Sequence, residues 1–157
     1  MNIFERLEST EIAEWVASSI YGYPIMLGAH VIGLSVVVGI IFMMNLRIMG
    51  CFSGISFGSL NEFSKLTWTG FTLNFVSGFC LFMSQATFFI TNVFFLVKIS
   101  VIFLAVINAA FLQNALKTSA ETWDSENTAS SKGRKMAISS LILWSAAIIS
   151  GRLIAYV

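Results

Sequence analysis

The chain has 157 residues, 57% hydrophobic and 11% charged, with a net charge of +1 and a mean hydropathy of +0.83. A soluble domain carries about 25% charged residues, so this balance excludes an ordinary water-soluble fold. It points to a single membrane domain over residues 1–157, and the absence of any basic cluster interleaved with aromatics excludes a nucleic-acid partner.

The first element in chain order is short. Ile12, Trp15, Val16, Ser19 and Ile20 recur at helical spacing while Glu11 and Glu14 fall on the other side, as in an amphipathic helix lying on a bilayer surface. Glu5, Glu8, Glu11 and Glu14, with no apolar core before Trp15, do not read as a signal peptide. Pro24 then turns the chain inward.

Four apolar runs follow, each long enough to cross about 30 Å of hydrocarbon as a helix: residues 23–46, 66–87, 93–116 and 136–157. Their apolar residues are continuous rather than alternating, which excludes barrel strands. The stretch from Cys51 to Phe63 mixes Phe and Ile with Gly and Ser and is expected on the membrane surface. A very short turn is expected at Thr91-Asn92, and residues 117–135, rich in Ser, Thr and charge, are expected to form a solvated loop. The predicted fold is therefore all-α, an integral membrane four-helix bundle with a short amphipathic N-terminal surface helix.

Lys and Arg counts set the expected orientation. Arg47, Lys65, Lys117, Lys132, Arg134 and Lys135 fall on one side; the other has Arg6 in an acidic tail and Arg152 near the C-terminus. Both termini are thus expected outside, the periplasmic side of an inner membrane if the source is bacterial. Ala29 and Gly33, Ser35 and Gly39, Gly70, Asn74 and Gly78, and Ala147 and Gly151 stand four apart, a spacing that lets helices approach closely in lipid. Cys51 and Cys80 match no zinc or redox spacing and read as small apolar residues.

Three ionisable residues interrupt the apolar runs. His30, the only histidine, lies about 10 Å below Tyr23 at 1.5 Å per residue. Lys98 falls some 8–10 Å from Asn92 and Arg152 about 8 Å from the C-terminus by the same measure. The topology puts all three at one level, and polar groups in hydrocarbon need a partner, a hydrated cavity or a ligand. In the plainest reading the two cations reach the headgroups and a neutral His30 donates to a backbone carbonyl, Asn74 or Ser77. In a second, His30 is the axial ligand of haem b, Lys98 and Arg152 hold its propionates, and Gly33 and Gly78 open a slot for the macrocycle. One histidine supplies one strong ligand, so six-coordination would need Met26, one turn away, or a homodimer sharing one iron. The third reading, an anion or proton pathway, meets the absence of any acidic residue within a span. No metal cluster, phosphate loop or nucleophile with a base indicates a hydrolase or transferase, which leaves a redox role open; beyond the bilayer, a homodimer or larger membrane complex is the expected partnership.

Several pieces together resemble an uncharacterised bacterial family of small four-span membrane proteins, a domain of unknown function. They are Trp15 with Ser18, Tyr23-Pro24, His30 with Gly33, Asn45-Leu46-Arg47 with Gly50, Phe95 with Lys98, Asn108, Trp144, and the run from Gly151 and Arg152 to Tyr156. The resemblance covers nearly the whole chain and implies the fold, the topology, and that His30, Lys98 and Arg152 belong to one pattern. An aspartate usually precedes the Leu-Arg pair in that family, whereas Asn45 stands here, which takes away a fixed ionic partner for Arg47. The layout is more distantly similar to membrane haem b proteins and copper-resistance membrane proteins, an analogy of fold alone.

Overall fold

The computed structural model describes residues 2–156. Two short helices open the chain. In α1 (Ile3–Glu8) the Asn2 side chain accepts from the Ile3 amide at 2.7 Å while Glu5 reaches back to the Asn2 amide at 2.7 Å. This reciprocal cap satisfies donors that so short a helix cannot satisfy internally. In α2 (Glu11–Ser18) the Thr10 hydroxyl caps the Ala13 amide. Ala13 and Val16 are buried against the bundle, and Ile12 and Trp15 are exposed.

Four long helices follow, each long and apolar enough to cross a membrane: α3 (Gly22–Ile48), α4 (Phe57–Met83), α6 (Val93–Glu126) and α7 (Ser131–Leu153), the last continued by a 3₁₀ turn over Ile154–Tyr156. A six-residue helix, α5 (Ala86–Thr91), joins α4 to α6. Among the described residues there is no strand. The predicted all-α membrane bundle is the observed fold.

Successive long helices run antiparallel, and α7 closes the ring against α3. Both termini and α5 therefore gather at one end, here the terminal end; the connections α3–α4 and α6–α7 form the loop end. Phe75, Val76 and Phe79 on α4, Phe103, Leu104 and Phe111 on α6, and Ile142 and Ile149 on α7 point outward and exposed, the surface that lipid covers in a bundle whose backbone polar groups are satisfied within its helices.

The boundaries depart from expectation in three places. Residues 117–135 are not a loop: α6 runs on to Glu126, α7 begins at Ser131, and only residues 127–130 lie outside helix. The segment contains no Pro, and its polar residues lie on a projecting helix whose inward side carries Leu116 and Trp123, both buried. Asn127 ends that helix in the left-handed conformation at φ 50°, a common helix stop. The stretch from Cys51 to Phe63 is half loop and half the first turns of α4, which start at Phe57 behind a Ser56 cap. The second span ends at Met83, short of the expected 87, and the fourth starts earlier than 136; its predicted last residue, Val157, lies outside the described residues.

The projecting ends of α4, α6 and α7 are locked by a small set of contacts. Phe57 meets Trp123 edge-on at 5.6 Å, and Gly133 on α7 lets the indole lie close, since a Cβ there would stand 2.9 Å from Trp123 Cη2. Asp124 accepts from the amides of Phe57 at 2.6 Å and Gly58 at 3.1 Å, so a carboxylate of α6 caps α4. Arg47 is 1% exposed. Its Nε donates to the Ile55 carbonyl, its Nη2 donates to Asn127 Oδ1 at 3.0 Å, and its guanidinium lies 4.0 Å above the Phe57 ring. Among the described residues no carboxylate pairs with it; a carbonyl, an amide and a ring face hold it instead.

Trp123 and Phe57 are buried in one core cluster, so the usual costs of truncation apply. Trp123→Ala is expected to lower stability by about 3–5 kcal/mol through the cavity it leaves. Asp124→Ala should cost about 1 kcal/mol through the lost cap. Denaturant titration of the purified protein in detergent measures both, and equal losses would contradict the division of labour between ring and cap.

Candidate functional site

His30 lies on α3, and its position is set by what α4 lacks. Its Nδ1 stands 2.9 Å from the Asn74 carbonyl oxygen. Within α4 a carbonyl is usually screened by the side chain one turn on, which for Asn74 is residue 78. That residue is Gly78, and a Cβ there would stand 2.8 Å from His30 Cε1. Removing one side chain thus admits the imidazole to a helix carbonyl. A carbonyl only accepts, so Nδ1 donates, and in the uncharged ring the lone pair rests on Nε2. Ser77 Oγ lies 3.4 Å from Nδ1 but gives its hydrogen to the Leu73 carbonyl at 2.7 Å. Of the partners expected for His30, the backbone carbonyl is the one used.

The same close approach runs down the α3–α4 seam. A Cβ on Gly33 would stand 2.8 Å from the Asn74 amide nitrogen, and one on Gly70 would stand 2.9 Å from Val36 Cγ1. Gly33 and Gly78 were expected to open a slot for a flat macrocycle. Gly33 is instead filled by the backbone of α4, and the space at Gly78 by the imidazole itself. Gly39 faces open space, and its partner Ser35 is exposed, so that pair packs nothing within the chain.

His30, Lys98 and Arg152 do converge. They line one cavity of about 500 Å³ at the terminal end, together with Gly78, Gly151, Tyr23, Ser84, Gln85 and a set of phenylalanines. Its volume lies within the roughly 300–1,000 Å³ usual for small-ligand sites. Lys98 extends along Gly151, where a Cβ would stand 3.4 Å from its Cδ, Cε and Nζ. Arg152 is exposed, its guanidinium 5.5 Å from the Tyr156 ring centroid. Among the described residues neither cation has a carboxylate partner, and none of the residues lining the cavity is acidic.

Part of the lining is aromatic. Phe82 and Phe95 stack at 5.4 Å with 8° between their planes, and Phe89 lies 5.2 Å from Phe95. Phe88 and Phe89 come from α5, and Gln85 precedes it. Met26 is not among the residues that line the space. The individual phenylalanines and Gln85 are not singled out by the sequence. The signal is the density of Phe on both sides of Asn92 (Phe82, Phe88, Phe89, Phe94, Phe95), in the segment where α5 joins α4 to α6. Among the described residues no group of three or more His, Cys, Asp or Glu could hold a free metal ion, and Cys51 and Cys80 are free thiols.

A surface carboxylate ties the aromatic wall to the N-terminal helices. Glu8 accepts from the Thr87 amide at 2.8 Å and the Thr87 hydroxyl at 2.7 Å. These two bonds, the hydroxyl first, hold its carboxyl below the usual carboxylate range. No protein-family model, curated protein or solved structure matches the chain.

The Glu8 tie predicts a pH dependence of definite sign. A lowered pKa means the carboxylate favours the tied state, so its contribution is full above the ordinary glutamate value of about 4.3. It is lost as the pH falls through the lowered value. The protection factor of the Thr87 amide in hydrogen exchange should therefore fall as the pH drops from the ordinary glutamate value through the lowered one. In Glu8→Gln it should be lower at neutral pH and flat across that window; a wild-type profile equally flat would exclude the tie.

Proposed function

We propose that this protein is a small integral membrane haem b protein that handles electrons, with the cavity at the terminal end as its binding site. The observation that carries the reading is the bond from His30 Nδ1 to the Asn74 carbonyl. Metal-ligating histidines commonly donate their other ring nitrogen to such an acceptor, which fixes the tautomer and raises the basicity of the ligating nitrogen. Here that leaves Nε2 as the donor atom on a residue that lines the cavity.

The remaining walls fit the same group. Haem presents an apolar face and two carboxylates; Phe82, Phe89 and Phe95 offer an aromatic surface, and Lys98 and Arg152 offer two cations with no acidic partner among the described residues. Arg152 suits a carboxylate in bidentate form, while Lys98 acts as a point charge. When bound, the iron supplies one-electron chemistry, its potential tuned by the axial ligand and the surrounding polarity. This chain's residues orient the ring, neutralise the propionates and keep water from the apolar wall. His30 is the only histidine, so a second strong ligand would come from another copy of the chain; otherwise the far face stays open.

A second reading, an anion-binding accessory protein, draws on the two cations alone, which have no carboxylate partner among the described residues. A through-route for ions draws less support, because Val37, Ile41, Ala105 and Trp144 form a buried, largely apolar layer between the cavity and the loop end. By the positive-inside rule, the loop end, with Lys65, Lys117, Lys132, Arg134 and Lys135, faces the cytoplasm. The cavity then opens toward the outer face of a bacterial inner membrane.

The test is spectroscopic. Protein purified from cells supplied with a haem precursor should show a Soret band that His30→Ala abolishes and Arg134→Ala preserves. Arg152→Leu and Lys98→Met should each weaken haem affinity about tenfold, equivalent to about 1.4 kcal/mol. A folded wild type that stays colourless and takes up no added haem contradicts the proposal.

A further inference from the structure

We infer that the loop half of the bundle holds a small internal water site centred on the side-chain amide of Asn45, independent of the cavity at the other end. Asn45 stands on α3 about 5 Å from the end of that helix at 1.5 Å per residue, and it is 1% exposed. Its Nδ2 donates to Ser140 Oγ on α7 at 2.9 Å. Its Oδ1 is buried and, among the described residues, has no partner. Turning the amide over would leave a nitrogen orphaned at the same place, so the unmet demand belongs to the site rather than to one rotamer.

A cavity of about 40 Å³ lies beside it between α3, α4, α6 and α7, with Asn45, Thr67, Gln113 and Ser140 as its polar walls and Met44 among its apolar ones. One water occupies about 10–15 Å³ of such space and requires two to four polar partners. The partners are there. Asn45 Oδ1 is a free acceptor, and Ser140, whose oxygen accepts from Asn45, has a hydroxyl hydrogen to give. Thr67 gives its own hydrogen to the Phe63 carbonyl at 3.0 Å and keeps lone pairs. Gln113 Oε1 accepts from Trp68 Nε1 at 3.4 Å, which leaves its NH2 as a donor.

The chemistry selects water over an ion. None of the lining residues is charged, and an uncompensated ion within a membrane bundle is costly. Acceptors and donors are both present, which suits a molecule that gives and takes hydrogen bonds, whereas a cation uses acceptors only. Water-mediated bonds then join helices that neither Asn45 nor Ser140 reaches directly.

X-ray radiolysis of the full chain in nanodiscs, read by mass spectrometry, tests this, because radicals born from a bound water oxidise the side chain beside it. Met44 is 7% exposed and lines the space; Met43, its half-buried chain neighbour, does not. Met44 should oxidise several-fold faster than Met43 in the wild type, and Asn45→Leu should bring the two rates together. Ser140→Ala should move them in the same direction, and it serves where Asn45→Leu does not fold. Equal rates in the wild type overturn the inference. So does a sodium-dependent rise in melting temperature that Asn45→Leu removes, which would assign the space to a cation.

Discussion

The hydrogen bond from the His30 imidazole to the carbonyl of Asn74 is the contact on which the architecture of the terminal end turns. It joins α3 to α4, it fixes which ring nitrogen carries the hydrogen, and it exists only because Gly78 leaves that carbonyl uncovered. A single absent side chain therefore links helix packing to the chemistry of the only imidazole. In hydrocarbon, where an unmet polar group is expensive, such a bond also stabilises the pair of helices. Packing and donor placement cannot be varied separately here.

Polar groups are sorted to the two ends of the bundle, and the two ends are built differently. The loop end is closed: Arg47, Asp124 and Asn127 knit the helix termini together around Phe57 and Trp123, and Asn108 donates to the Met136 carbonyl at 3.0 Å between α6 and α7. The terminal end is open, with a cavity of about 500 Å³ whose cations have no acidic counterpart among the described residues. Between them Val37, Ile41, Ala105 and Trp144 pack as an apolar layer. One end of the bundle is thus a clasp of polar and aromatic contacts, and the other a charged, aromatic-walled cavity.

Much of this was legible in the sequence. Continuous apolar runs gave four spans, and a count of depth along them put His30, Lys98 and Arg152 at one level, where they share a cavity. What failed was the inference from composition to loop. Residues 117–135 look like a loop because they are polar, yet α6 continues through most of them with Leu116 and Trp123 buried on its inward side. The cap from Asp124 has no sequence signature, since a bond across sixty-odd residues leaves no local pattern. The small-residue spacing was a true signal of close approach, but not of what approaches: Gly33 meets backbone, Gly78 meets imidazole and Gly39 meets nothing within the chain.

Because the chain contains one histidine, its ring can be observed without ambiguity. Nitrogen NMR of protein labelled only at histidine, in lipid bilayers at a pH where the ring is uncharged, reads the tautomer directly. The account predicts a protonated Nδ1 and a bare Nε2, with the pattern lost when Gly78→Leu covers the Asn74 carbonyl. A bare Nδ1 with a protonated Nε2 would contradict it, because the imidazole would then be turned away from α4 and no lone pair would be offered to the cavity.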